Sequence, residues 1–289
     1  MYVYINGNIQ EAGNARLSIF EHGFMYGLGL FETFRVYDGH PFLLDEHFKR
    51  MENGLKWMNI VWEYDRNHVL AQVQMLLEAN GWNNAYVRYN ISAGEDNLGL
   101  STEPYHSPTI LIYMKPMPEA KAKLEAEKKG IFLTIPRNTP ESAVRLKSHH
   151  YLNNVLGKRE IGNDSEKEGI FLTADGYIAE GIVSNLFWIK GSTLYTPSLE
   201  TGILNGVTRS FVIELAEKHG MDVREDHFTP AHLYEAEEVF VTNSIQEIVR
   251  LTAVNEHFWN RKKNPSMIDV FQQEYARYRH TLFCLDDMF

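Results

Sequence analysis

Apolar and polar residues fall along the chain in runs of two different periods. Tyr2–Ile5 and Phe31–Tyr37 read as strands, and Asp38-Gly39 as the tight turn joining the second of them to Pro41–Leu44. From Leu44 to Met58 the pattern changes: Phe48, Met51, Leu55 and Met58 recur at helical spacing. A second helix is predicted from Asp65 to Ala79, with Asp65 as N-cap and Gly81 just past its end. Tyr86–Ile91 and Thr109–Tyr113 are further strands. Beyond them strands dominate, at Ile131–Ile135, Gly169–Thr173, Leu186–Lys190, Thr193–Tyr195 and Val239–Val241, with turns at Asp175-Gly176 and Lys190-Gly191. One helix is predicted to follow Thr208 through Phe211, Val212 and Leu215 to Gly220, and the last from Met267 to Tyr278.

Pro116 and Pro118 forbid a regular helix in Lys115–Lys121, which marks the best linker. The expectation is an α+β chain of two domains, 1–115 and 125–289, joined by residues 116–124, the second richer in strand. No internal repeat is visible.

With 289 residues, 44% apolar and 23% charged, the chain has the composition of an ordinary globular protein. Its net charge of −10 and the absence of a Lys/Arg patch argue against a nucleic-acid or anionic-membrane partner. Arg261-Lys262-Lys263, beside Pro265, reads as a solvated loop. The single cysteine, Cys284, allows no internal disulfide, and no apolar run reaches membrane-spanning length. Met1–Gly7 reads as a strand and turn, not as a leader, so a cytoplasmic location is expected.

Three features carry chemistry. A lysine is ordinarily a solvated surface residue, but Lys147 stands in Arg145-Leu146-Lys147-Ser148-His149-His150-Tyr151, where Arg145 and the histidines offer the cationic neighbours a nucleophilic amine needs. Glu180 lies among the small residues Ala179, Gly181, Ser184 and Asn185, which suggests backbone packed against something flat. The turn Gly202–Thr208 is either a loop with an ordinary helix cap at Thr208 or an anion site, and a capped helix start is both. In that order, an amine, a carboxylate and a glycine-rich helix start are what a pyridoxal 5'-phosphate site requires. Thr242-Asn243-Ser244 offers a second phosphate donor. His47 and Arg50 share one helix face, an exposed polar face on the plain reading and a phosphate contact on the functional one. Arg35 and Arg88 lie inside strands, where each is a candidate for a substrate carboxylate. His149-His150 makes a poor metal chelate, because adjacent side chains point apart, and no metal is expected.

These residues resemble the fold-type IV pyridoxal phosphate enzymes: branched-chain aminotransferases, D-amino-acid aminotransferases and aminodeoxychorismate lyases. The resemblance runs from Glu21–Arg35 through His47–Arg50, Arg145–Asn154, Glu180–Asn185 and Gly202–Arg209 to Thr242–Ile248. It implies a two-domain fold: an antiparallel-sheet N-terminal α/β sandwich, then a strand-rich pseudo-barrel that binds the cofactor. It further implies Lys147 as Schiff-base lysine, Glu180 facing the pyridine nitrogen, and Arg50, Val207, Thr208 and Ser244 around the phosphate. Tyr151 would stand near the phenolic oxygen, and the protein would be a homodimer.

Within the group, Arg145–Asn154, Tyr195–Leu204 and Phe31–Arg35 are most similar to the aminodeoxychorismate lyases of bacilli; aminotransferases for branched-chain substrates typically carry Gly where Thr33 stands. The chain departs from the group at Leu28, where many relatives are acidic. The resemblance implies a small-molecule reaction, 4-amino-4-deoxychorismate to 4-aminobenzoate and pyruvate, with Lys147 moving the proton and Lys147 or Thr33 protonating the departing enol. Two alternatives stand beside it: an aminotransferase for D- or branched-chain amino acids, and a non-catalytic binding protein that keeps the fold.

Overall fold

The computed structural model describes residues 1–119, 127–260 and 265–288. The basic cluster Arg261–Lys263 and the linker from residue 120 onward lie outside them. The chain forms two compact units, Met1–Lys121 with Lys147–His150 and Tyr278–Phe289, and Ala122–Leu146 with Tyr151–Arg277. The units are not continuous in sequence: two short segments from the second half of the chain, Lys147–His150 and Tyr278–Phe289, belong to the first.

In the first unit six strands, β1 (Tyr2–Ile5), β2 (Asn8–Glu11), β3 (Gly29–Tyr37), β4 (His40–Pro41), β5 (Ala85–Ser92) and β6 (Thr109–Pro116), form an antiparallel sheet of order β2-β1-β6-β5-β3-β4. Its helices are α1 (His22–Tyr26), α2 (Leu44–Trp57) and α3 (Arg66–Asn80). Both long helices fall where the periodicity predicts them. Asp65 caps α3 by accepting from the His68 amide at 2.8 Å, and Gly81 ends it at φ 69°. Asp38 and Gly39 both adopt positive φ in the turn before β4, as a tight hairpin requires.

Strand β3 separates two faces. Phe34 packs on Phe48 of α2 with ring centroids 6.1 Å apart, so Leu30, Glu32, Phe34 and Val36 look into the helical side. Phe31, Thr33 and Arg35 look the other way. In the antiparallel register Phe31 pairs with Asn90, Thr33 with Arg88 and Arg35 with Tyr86, so those partners share the second face.

The second unit holds β7 (Glu127–Phe132), β8 (Lys167–Leu172), β9 (Ile178–Gly181), β10 (Asn185–Lys190), β11 (Thr193–Pro197), β12 (Asp222–Asp226), β13 (Glu238–Asn243), β14 (Glu247–Val254) and β15 (His257–Phe258). They form one mixed sheet of order β12-β11-β10-β13-β14-β7-β8-β9, with β15 on β14; the pairs β11–β12, β14–β7 and β7–β8 are parallel. The last strand, β9, also touches β10 and β11, so the sheet curls back on itself. Around it lie α4 (Leu152–Ile161), α5 (Val207–Lys218), α6 (Pro230–Tyr234) and α7 (Met267–Tyr278). The buried Trp188, Leu186, Val241 and Leu251 belong to one apolar core of this unit.

Some expectations need correction. The strand predicted at Ile131–Ile135 runs from Glu127 to Phe132. The cap of α5 is Gly206, with no side-chain hydrogen bond, and Thr208 lies inside the helix. Helix α4 gave no apolar period because it seats through small and polar residues, burying Asn154 and Gly157. A Cβ on Gly157 would stand 2.7 Å from Phe171 Cζ and 3.0 Å from Leu133. Gly157→Val should therefore lower stability by about 1–3 kcal/mol through overpacking, read as a shift in the urea midpoint. An unchanged midpoint would mean that α4 is not seated on β8 at this point.

Candidate active site

Lys147 is held by main-chain pairing. Strand β4 covers only Val36 and Tyr37, which leaves the other end of that β3 edge open. Residues Lys147–His149 fill it: the Phe31 amide donates to Lys147 O, the His149 amide donates to Gly29 O, both at 3.0 Å, and Leu30 faces Ser148 in an antiparallel bridge. Two glycines make the approach feasible. A Cβ on Gly29 would lie 2.5 Å from the His149 ring, and one on Gly27, at φ 73°, 2.6 Å from the His150 ring. This is the physical content of Gly27-Leu28-Gly29.

Pairing puts the Lys147 side chain on the Phe31 side, with Nζ 4.7 Å from that ring's centroid. The Arg88 guanidinium stands 3.6 Å from the same centroid, and the His149 ring stacks at 6.3 Å. Arg88 is thus a cationic group against the same ring as Lys147, one the sequence did not suggest. Burial, then the charges of Arg88 and His150, push His149 down to about 4, so it is neutral at physiological pH. Arg145 belongs to the second unit, where it donates to the carbonyls of Gly202 and Asn138.

Thr33, the register partner of Arg88, is half-buried beside it. Arg35 is buried, donates to Pro118 O at 2.7 Å and stacks on Tyr37. Arg50 lies on the helical side of β3, where its Nε and Nη2 grip both oxygens of buried Glu32 at 2.7 and 2.6 Å. His47 Nδ1 donates to the same carboxylate at 2.7 Å. The His47/Arg50 face was legible in the sequence and Glu32 was not, although its place in β3 opposite that face was the available signal.

In the second unit Glu180 is buried at the end of β9. Its Oε1 accepts from Arg137 Nε at 2.8 Å, with Arg145 Nε at 3.7 Å, and its Oε2 accepts from the Leu204 amide at 3.0 Å. Arg137 is the second residue the sequence did not disclose, because an arginine between two prolines in a loop reads as solvated. The Leu204 bond ties Glu180 to the turn before α5. There Asn185 donates to Leu204 O, and its Oδ1 lies 2.1 Å from where a Gly206 Cβ would be.

Helix α5 starts at Val207 after Gly206, a cap residue that makes no side-chain hydrogen bond. Thr208 Oγ1 and Ser244 Oγ are 3.4 Å apart at this start, and Ser244 sits in a turn closed by Asn243, which accepts from the Ile245 and Gln246 amides. A helix start and two converging hydroxyls suit a phosphate, and a buried carboxylate tied to the same turn suits a pyridinium. The residues therefore fit pyridoxal phosphate. Tyr151 is the N-cap residue of α4. Val207, Thr208, Ser244, Glu180 and Tyr151 lie in the second unit; Lys147, Thr33, Arg35, Arg50 and Arg88 lie in the first. Among the described residues no metal-binding cluster exists, and no helix is long and apolar enough to cross a membrane.

The chain belongs to the amino-transferase class IV family, whose model matches residues 29–254. These are pyridoxal phosphate-dependent enzymes, and so is this protein. It is 49% identical over 257 residues to the aminodeoxychorismate lyase of Bacillus subtilis, covering 88% of this chain and 87% of that one. It is 33% identical to a putative branched-chain-amino-acid aminotransferase of Methanocaldococcus jannaschii over 91% of both chains. Its fold matches the Escherichia coli branched-chain aminotransferase with a TM-score of 0.84 at 26% identity, over 99% of this chain and 96% of that one.

The Glu32 cluster has a pH signature. Burial alone would raise the carboxyl, but Arg50 and His47 outweigh it and hold it at about 2 against an ordinary 4.5. The unfolded chain then binds more protons across that window, so the cluster stabilises the fold above it and its contribution is lost as pH falls towards 2. The amount is on the order of 3 kcal/mol. Glu32→Gln should flatten the acid limb of a stability–pH curve from urea unfolding; an acid limb as steep as wild type would remove Glu32 as its source.

Proposed function

We propose that this enzyme is a 4-amino-4-deoxychorismate lyase, releasing 4-aminobenzoate and pyruvate. The observation that carries the reading is the pairing of Thr33 with Arg88 on the strand face that also receives Lys147, together with 49% identity to an aminodeoxychorismate lyase over most of both chains.

Bound pyridoxal phosphate supplies an electron sink for a carbanion at the substrate carbon bearing nitrogen. In this reading Lys147 is the amine that would hold the cofactor's aldehyde, and its free amine would take the proton from the substrate carbon that bears nitrogen. Glu180 would face the pyridine nitrogen, and Tyr151 the phenolic oxygen. Val207, Thr208 and Ser244 would hold the phosphate, and the reading adds Arg50, whose orientation Glu32 fixes. Loss of the ring proton and of the enolpyruvyl group leaves an aromatic ring, which drives the step. Thr33 or protonated Lys147 returns a proton to the departing enol, giving pyruvate.

Of the two candidate arginines, Arg88 is favoured for a substrate carboxylate, since it stands against the same ring as Lys147 while Arg35 is engaged by Pro118.

The second reading is a D- or branched-chain amino-acid aminotransferase, favoured by the aminotransferases among the relatives. It shares proton removal and then reprotonates the cofactor carbon instead of eliminating. Incubated with aminodeoxychorismate and no amino acceptor, the enzyme should release pyruvate and 4-aminobenzoate in equal amounts. Conversion to the pyridoxamine form with D-alanine, without pyruvate release from aminodeoxychorismate, would instead assign it to the aminotransferases.

A homodimer is part of the proposal. Ile19, Phe20, Phe24, Leu98 and Leu100 are exposed, and bonds from the Asp96 amide to Phe20 O and the Gly99 amide to Tyr26 Oη draw their two segments together. An exposed apolar patch of this kind suits a second copy of the chain. Phe24→Asp with Leu100→Asp should shift light-scattering mass from twice that of the chain towards the single chain; an unchanged mass would exclude this patch as the contact. The lone cysteine fits a cytoplasmic location.

A further inference from the structure

We propose that Arg137 is a positioning residue for the reaction, fixing Glu180 and the start of α4 as one rigid piece. The inference rests on the reading of Glu180 as the carboxylate facing the pyridine nitrogen.

Arg137 is a hub. Its Nε donates to Glu180 Oε1 at 2.8 Å, while Nη1 donates to Asn153 Oδ1 at 2.6 Å and reaches Asn154 Oδ1 at 3.3 Å. The guanidinium also lies 5.2 Å from the centroid of Phe171 in β8. Asn153 and Asn154 are the second and third residues of α4, directly after Tyr151. Asn153 Nδ2 donates back to Pro136 O at 3.0 Å, and Asn154 Nδ2 donates to Ile182 O, two residues beyond Glu180. The circuit closes: the Pro136–Asn138 segment, the first turn of α4 and the Glu180–Ile182 stretch are joined through one planar cation.

Its chemistry explains why the residue is an arginine. Three acceptors on two elements, one on β9 and two on α4, lie around one guanidinium, whose donors diverge in a fixed plane. A lysine has one nitrogen on a flexible stem and cannot hold the three at fixed angles. Arg137 is 9% exposed and Glu180 4%, so removing the cation leaves a buried carboxylate whose orientation rests chiefly on the Leu204 amide. Arg145 is no substitute: its Nε is 3.7 Å away and donates to Gly202 O. Because the grip is on Glu180 and on the turn behind Tyr151, its loss should disturb the pyridine-nitrogen and phenolic-oxygen ends of the cofactor together. The phosphate donors Thr208 and Ser244 make none of these contacts.

Arg137→Lys and Arg137→Gln are compared with wild type for three quantities: the absorbance spectrum of bound cofactor against pH, the cofactor Kd by equilibrium dialysis, and kcat and KM for pyruvate release. Expected are a spectrum titrating at a shifted pH in both variants, a loss in kcat on the order of tenfold or more, and KM changed far less. The same Kd and spectral titration are measured for Arg137→Gln in a Glu180→Gln background, where the substitution should add clearly less than it does to wild type, because part of its effect runs through Glu180.

A residue that serves only stability would lower the melting temperature and leave the spectrum and kcat of folded protein alone; that outcome overturns the proposal, as does full additivity in the double variant. Should Arg137→Gln not fold, the spectrum and kcat of Arg137→Lys decide by the same criteria. A wild-type protein that takes up no pyridoxal phosphate would refute the cofactor reading itself, whereas loaded wild type with unaltered variants refutes only the role of Arg137.

Discussion

Lys147 owes its position to two main-chain hydrogen bonds along one short stretch of strand edge. β4 is too brief to cover β3, so the Gly29–Phe31 end of that edge is left with amides and carbonyls to satisfy. The Lys147–His149 segment satisfies them, and strand geometry then decides which way the amine points. Glycines at positions 27 and 29 are the condition, since a side chain at either would meet a histidine ring. A residue far along the sequence is thereby built into the first unit with Thr33, Arg88 and Phe31 on one face. The placement rests on main-chain bonds and tolerates little variation in backbone.

Both units solve the same electrostatic problem, a carboxylate shut away from water, with a guanidinium. Glu32 is gripped by Arg50 through two nitrogens and by His47, a closed arrangement that fixes Arg50 on its face of the sheet. Glu180 is gripped on one oxygen by Arg137 and on the other by a backbone amide. Breaking such a pair from one side costs far more than the pair itself contributes, because it strands the remaining charge. The difference between the two sites is what lies beyond the pair: the first ends in a helix of the scaffold, the second in the turn that starts α5.

Much of this was legible in the sequence, for identifiable reasons. Helices α2 and α3 carry one apolar stripe each, and the caps of α3 are written in Asp65 and Gly81. The ordered set of Lys147, Glu180 and Gly202–Thr208 pointed to the cofactor class that the family match supports. What failed to show was long-range. Nothing local to Lys147 says that it pairs with β3, since pairing partners are chosen by an open edge over a hundred residues earlier. Arg137 looks like loop decoration until Glu180, Asn153 and Asn154 fold around it. The histidines beside Lys147 suggested positive charge, but burial next to Arg88 makes His149 neutral. Helix α4 was invisible because glycine and asparagine, not leucine, form its inner face.

The account stands on one amine. Reduction of the cofactor-loaded enzyme with borohydride, followed by proteolysis and mass spectrometry of the fluorescent peptide, tests it directly. The account predicts a single labelled peptide carrying the pyridoxyl group on Lys147. Label on any other lysine, or no label on protein that has bound the cofactor, would contradict it.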